Sequence, residues 1–208
     1  MSYPVLYRPN EIDFGHLGLG VLKDAVSCMV TEERNGVFEL EMTYPIDGIH
    51  GTVIEFDQII KVDAGHAGFS KDQLFRIERV DKSANGMIEV FARHVSHMAS
   101  SLVMEPEIVI RELNAQGALN AWRNGIVGNH PFTVSSNITA LGSTTFGIQS
   151  EQNARMALGG TENAILSVWG GEFIFDNHRI DLRARRGGTA NTLISYGRNS
   201  VTRFPISA

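Results

Sequence analysis

Apolar side chains recur at every second position across residues 26–44, on either side of Arg34-Asn35-Gly36. Val26, Cys28 and Val30 share one face of a first strand, and Phe38, Leu40, Met42 and Tyr44 share one face of a second. A two-residue Asn-Gly turn would oppose Val30 to Glu41 and mix the two faces. A three-residue loop pairs Glu33 with Val37 and sets Val30 against Leu40, Cys28 against Met42 and Val26 against Tyr44. A slip of one residue sends every side chain to the opposite face. The pattern therefore predicts the longer loop, with Gly36 left-handed in a bulge.

A second hairpin is predicted over residues 73–95. A four-residue loop at 83–86 sets Phe75 and Ile77 opposite Ile88, Val90 and Ala92, and the run VIEFDQIIKVD before it supplies further strand. From about Ser96 the period changes. Ala115, Ala118, Leu119 and Trp122 have helical spacing, weakened by Gly117. A second helix is expected over 151–158, ended by Gly159-Gly160, and a third from Thr161 as N-cap through Ile165, Leu166 and Trp169. The polar stretch VSSNITALGSTT reads as loop. In GGEFIFDNHRIDLRARRGG a turn at Asp176-Asn177 would pair Phe175 with His178. It puts Phe173, Phe175, Ile180, Leu182 and Ala184 on one face and Arg179, Asp181, Arg183 and Arg185 on the other.

These elements define an α+β chain, predominantly β: a mostly antiparallel β part over 1–97 and a smaller α+β domain over 98–195. The length of 208 residues, with 43% hydrophobic and 20% charged, is ordinary for a globular chain. The net charge of −5 gives no sign of wholesale nucleic-acid or membrane binding. One cysteine, Cys28, precludes an intrachain disulfide and reads as a small buried hydrophobe. A secretory leader and an apolar run of about 18 residues are both lacking, so folding in a cytoplasm without a membrane anchor is expected.

Candidate chemistry is sparse. His94 and His97, in HVSH, have a spacing that serves metals on helices, but His94 falls at a strand and no nearby ligand set completes them. Zinc-protease, nucleophile-elbow and phosphate-loop motifs are absent, and GHLGLG lacks the dinucleotide spacing. Glu39 and Glu41 fall on the solvent face of a strand. The sharpest feature is the arginine group Arg179, Arg183, Arg185 and Arg186. Guanidinium forks match phosphate oxygens, which suits a phosphate or nucleic-acid contact. The face carries no aromatics for base stacking, which favours a solvated face or one that meets acidic residues of a neighbouring subunit.

Five stretches in order, LGVLKDAVSCMVTEERNGVFELEMTYP, FRIERV, IEVFARHVSHMASSLV, WGGEFIFDNHRIDLRARRG and ISYGRN, resemble the N-terminal region of the prophage endopeptidase tail family, or tail-associated lysins, of long-tailed phages. The resemblance implies a structural, non-enzymatic tail-tip module, similar to the hub protein of contractile phage tails, that closes the tail tube and docks on the distal tail protein; residues 1–97 would be its barrel-like antiparallel β domain. It implies a homotrimer in the full-length protein, with the tape measure protein and receptor-binding proteins as further neighbours. The protein would be made in the bacterial cytoplasm and carried at the virion tail tip. Residues 196–208 would begin a second barrel or an extension. Any peptidase would lie beyond this segment, and the segment alone is expected to be monomeric or weakly associated. No catalytic, cofactor-binding or metal residues are assigned.

Overall fold

The computed structural model describes residues 3–65, 71–147 and 153–187. Seven strands form one antiparallel sheet: β1 (Val5–Tyr7), β2 (Gly20–Val21), β3 (Ser27–Glu32), β4 (Phe38–Pro45), β5 (Ile59–Asp63), β6 (Asp72–Lys82) and β7 (Met87–His94), in the order β2-β1-β5-β6-β7-β4-β3. The sheet curls into a half-barrel whose concave side holds Leu6, Phe38, Leu40, Met42, Tyr44, Ile60, Phe75, Ile77, Ile88, Val90 and Ala92. Alternation along β4 is complete: Phe38, Leu40, Met42 and Tyr44 are buried, while the residues between them are partly or fully exposed.

The opening hairpin has the predicted register, with Val30 opposite Leu40 and Cys28 opposite Met42. Its loop spans Arg34 to Gly36 and is closed by the Glu33 N–H donating to the Val37 carbonyl at 2.8 Å and the Gly36 N–H donating to the Glu33 carbonyl at 3.1 Å. The left-handed residue, however, is Asn35 (φ 58°), not Gly36. Asparagine tolerates that region better than most side chains, and the Asn35 amide is held there by contacts described below. Val26 lies outside the strand and is exposed.

In the second hairpin the predicted register holds at the base, where Phe75 faces His94 and Ile77 faces Ala92. A bulge at Glu78 then shifts the pairing by one, so that Val80 faces Val90 and the tip closes with Ser83 bonded to Met87 around a three-residue loop, not a four-residue one. Gly86 takes the left-handed place there, with φ 82°. The extra residue swaps the faces of β6 at its tip, where Arg79 to Lys82 are polar or half-exposed and the swap is tolerated.

Beyond β7 a 3-10 turn, Val95–Ser101, leads to β8 (Ile108–Leu113), α1 (Ala115–Asn124), β9 (Thr133–Ser136), β10 (Gly142–Phe146), α2 (Ala154–Leu158), α3 (Ile165–Trp169), β11 (Glu172–Asp176) and β12 (Arg179–Arg183). Strands β8 and β10 pair with each other, and β11-β12-β9 form a three-stranded sheet in which β12 and β9 run parallel. The stretch expected to be loop thus supplies β9 and β10. Its Ser and Thr side chains hide the period, and its pairing partners lie far along the chain. Helix α1 matches its spacing: Ala115, Ala118, Leu119 and Trp122 are all buried, and the Asn114 side chain accepts from the Gly117 N–H at 2.9 Å.

Helix α2 starts after Asn153, whose Oδ1 accepts from the Met156 N–H at 2.9 Å; Glu151 and Gln152 lie outside the described residues. Thr161 is not the N-cap of α3. The cap is Ala164, and Thr161 sits one turn earlier, where its carbonyl accepts from Ala164 N–H (3.1 Å) and Ser167 Oγ (2.7 Å).

The third hairpin turns at Asn177-His178, not Asp176-Asn177, so Phe175 faces Ile180 and Phe173 faces Leu182. The positive φ of Asn177, 53°, sits at the first central position of this turn. The facing is unchanged, since this correction moves the pairing by two residues. Phe173, Phe175, Ile180 and Leu182 join Trp122, Phe132 and Phe146 in a core continuous with that of the half-barrel. Ala184, by contrast, is exposed and lies past the end of β12.

Candidate functional site

Asp181 lies on the arginine side of β12 and is buried. Residues i and i±2 share a strand face, so Arg179 and Arg183 flank it. The Asp181 Oδ2 receives Arg183 Nε at 2.7 Å and Nη2 at 2.6 Å, with Arg179 Nη2 at 3.5 Å. Arg186 reaches back to the first sheet and grips Glu32 with both ends of its fork, at 2.7 and 3.0 Å, while its backbone N–H donates to Glu172. Arg185 is exposed and has no ion pair among the described residues. The four arginines do not form one cluster of available cations: two converge on Asp181, one on Glu32, and one stands in solvent.

These contacts belong to a polar seam between the half-barrel and the three-stranded sheet. At one end, Asn35 Nδ2 donates to the Gly171 carbonyl (3.1 Å), the Phe173 N–H donates to Asn35 Oδ1 (2.7 Å), and Arg34 pairs with Glu172 at 3.2 Å. At the other end the tip of the third hairpin docks on β6. The Leu74 N–H donates to Asn177 Oδ1 at 2.9 Å, and Asn177 Nδ2 donates to the Asp72 carbonyl at 3.2 Å.

Gln73, fully buried, lies at the centre of that docking. Its Nε2 donates to Asp176 Oδ1 at 2.9 Å, and its Oε1 accepts from the Asn177 N–H at 2.9 Å and pairs with His94 Nε2 at 3.0 Å. An amide oxygen only accepts, so His94 carries its proton on Nε2. Its Nδ1 then accepts from the Ser96 N–H (3.3 Å) and contacts Ser96 Oγ (2.9 Å), while the ring stacks on Phe38 with centroids 4.2 Å apart. Both ring nitrogens of His94 are therefore committed to structure.

His97 lies apart from this network, beside a cleft of about 340 Å³ lined also by Asp57, Arg76, Glu78, Arg93 and Ser101. The charges there are paired: Arg76 with Asp57 at 2.7 Å, and Arg93 with Glu78 at 3.2 Å and Glu39 at 3.3 Å. Among the described residues no group of three His, Cys, Asp or Glu side chains is placed to hold a metal. Burial pushes the Cys28 thiol up to about 11, so it packs as an inert, half-buried side chain against the core. Among the described residues no helix is long and apolar enough to cross a membrane.

The sequence drew attention to the arginines but not to the pairing of Arg186 with Glu32, nor to the seam contacts made by Asn35, Gln73 and Asn177. Asp181 was recognisable, since alternation puts it between two arginines on one face. Glu32 and Arg186 lie 154 positions apart, and no local pattern links them.

No protein-family model matches the chain, and no curated protein matches it. Among solved structures it is similar to prophage tail protein gp18 from Listeria monocytogenes EGD-e, with a TM-score of 0.66 and 14% identity over 96% of this chain and 56% of that one. The likeness is one of fold, and the chain spans about half the length of that protein.

Two expectations follow from the seam and the cleft. Asn35→Ala removes two inter-sheet hydrogen bonds and puts a less tolerant residue in the left-handed region. It should destabilise by about 1–3 kcal/mol in chemical denaturation. Asn35→Gly should recover part of the loss, because it keeps the dihedral but not the bonds; an Asn35→Ala chain as stable as the parent would contradict the seam.

For His97, burial first, then the charges of Arg155 and Arg93, push the imidazole down from its ordinary 6.5 to about 4. Unfolded chains then take up the proton before folded ones as pH falls. The His97 contribution to stability should be fully present above about pH 6.5 and be lost toward pH 4. His97→Gln should flatten that slope in urea midpoints read across the interval, and an unaltered slope would contradict the assignment.

Proposed function

We propose that the protein is a structural component of a bacteriophage or prophage tail. The observation that carries this reading is the fold it shares, over nearly its whole described length, with prophage tail protein gp18. The site agrees in kind. The polar side chains that looked available for chemistry act as internal fasteners, as expected of a module that must keep its shape within an assembly.

Within that reading, the finer role is a tail-tip hub that closes the tube and docks on the distal tail protein. The tape measure protein and receptor-binding proteins are its neighbours, and a homotrimer of the full-length protein is the working assembly. This rests on the resemblance of the ordered sequence stretches to the tail-associated lysins. The part played by this segment is structural rather than hydrolytic: His94 is held by Ser96 and Gln73, and no nucleophile or metal motif is present in the sequence. Nucleic-acid binding through the arginine face is disfavoured by the carboxylates already held by Arg179, Arg183 and Arg186.

The test is to interrupt this reading frame in the phage that encodes it and image the induced particles. Particles without completed tails, restored by supplying the intact protein, are expected; normal infectious tails would overturn the proposal. The purified chain should release no soluble fragments from peptidoglycan, and release abolished by a single substitution would show that this segment is hydrolytic.

A further inference from the structure

Five arginines are half-buried among the described residues: Arg76, Arg93, Arg155, Arg183 and Arg186. Four of them hold carboxylates, on Asp57, Glu39 with Glu78, Asp181 and Glu32. Arg155, on α2, holds none, and its Nη1 is shut off from solvent without a hydrogen-bond acceptor. A buried charged donor left unpaired is costly, and elsewhere in this chain the same side chain at similar depth is matched. The exception calls for a ligand.

Its surroundings fit one. Arg155 lines a cavity of about 160 Å³ together with Asn35, Leu158, Gly159, Gly160, Leu166, Phe173 and Phe175, and among the described residues that lining contains no carboxylate. The guanidinium carbon stands 4.5 Å over the centroid of the Phe175 ring. That contact steadies the cation and sets its orientation, but accepts none of its N–H donors. At Gly160 the backbone is left-handed, φ +110°, and an added Cβ would meet nothing within 4 Å, so the cavity is open on that side. The Asn35 amide is engaged by Gly171 and Phe173, and Arg155 Nη1 makes no hydrogen bond to it.

We propose that this cavity is an oxyanion-binding site in which Arg155 anchors a carboxylate or phosphate group. Planar donor forks suit both groups. A carboxylate would come from an acidic side chain or chain terminus of a partner protein, and a phosphate from a free phosphate-bearing ligand. The site stands independently of the tail reading. His97 provides a reporter, since the Arg155 charge contributes to holding its imidazole low. An anion that neutralises Arg155 should let the His97 titration midpoint rise.

The experiment is an NMR titration of the whole chain with sodium phosphate and, separately, sodium acetate at fixed ionic strength against sodium chloride. The readouts are the Gly159 and Gly160 amides and the His97 ring. Saturable shifts with phosphate, acetate or both, but not chloride, accompanied by a higher His97 midpoint, are expected. The stronger of the two anions identifies the source of the group. Arg155→Met keeps a long side chain over Phe175 and should weaken binding by about tenfold or more, the loss of one charge-assisted pair, while Arg155→Lys should retain part of it. Absence of saturation by either anion in the folded parent chain would overturn the proposal. So would saturation unchanged in a folded Arg155→Met chain.

Discussion

A single buried amide, that of Gln73, determines how the two halves of the molecule meet. It lies at the start of β6 with no access to water, so each of its polar atoms needs a partner inside the protein. The partners are three groups from two places: His94 at the end of β7, and the Asp176 side chain and Asn177 backbone at the tip of the third hairpin. Any displacement of that hairpin would leave a buried amide and an imidazole unpaired, at about 1–3 kcal/mol for each group. The half-barrel and the three-stranded sheet are thereby restricted to one relative position. Asn35 with Gly171 and Phe173, and Glu32 with Arg186, hold the opposite end of the seam.

The fasteners work only because the apolar core runs beneath them. Phe173, Phe175, Ile180 and Leu182 leave their own sheet to join the same core as Phe38, Phe75 and Leu40. The polar contacts contribute direction more than net energy, since each replaces contacts with water. The arginine face follows the same logic: Asp181 is buried between guanidinium groups of its own strand, and little positive charge is left for a nucleic acid. Such a structure suits a part whose work is to hold a shape among neighbours, as the proposed tail role requires.

Much of the half-barrel was legible because alternation is sensitive to odd shifts of register. Val30 opposite Leu40 was predicted from facing alone, and it is what the structure contains. The same rule is blind to even shifts. Turns at Asp176-Asn177 and at Asn177-His178 put the same side chains inward, and the observed turn is the one whose Asn177 reaches Leu74 and Asp72. Asn35 was illegible as the left-handed residue for a related reason, because the carbonyl and N–H that hold it lie more than 130 positions away. Strands β9 and β10 carry mostly Ser, Thr and Gly, so no apolar period marked them. Of the candidate site, the arginines and Asp181 could be read from one strand, whereas Arg155 falls in a short helix and shows its significance only because, among the described residues, no carboxylate pairs with it.

The central claim is that the shared core and the polar seam make one cooperative unit from two sheets. Trp122 and Trp169, the only tryptophans, both report on the second part of the chain, while most strand residues belong to the half-barrel. Urea unfolding should therefore be followed by tryptophan fluorescence and far-ultraviolet circular dichroism on the same samples. Coincident transitions with a common midpoint and slope are predicted. A fluorescence transition clearly separated from the dichroism transition would mean that the two sheets unfold independently, and would contradict the account.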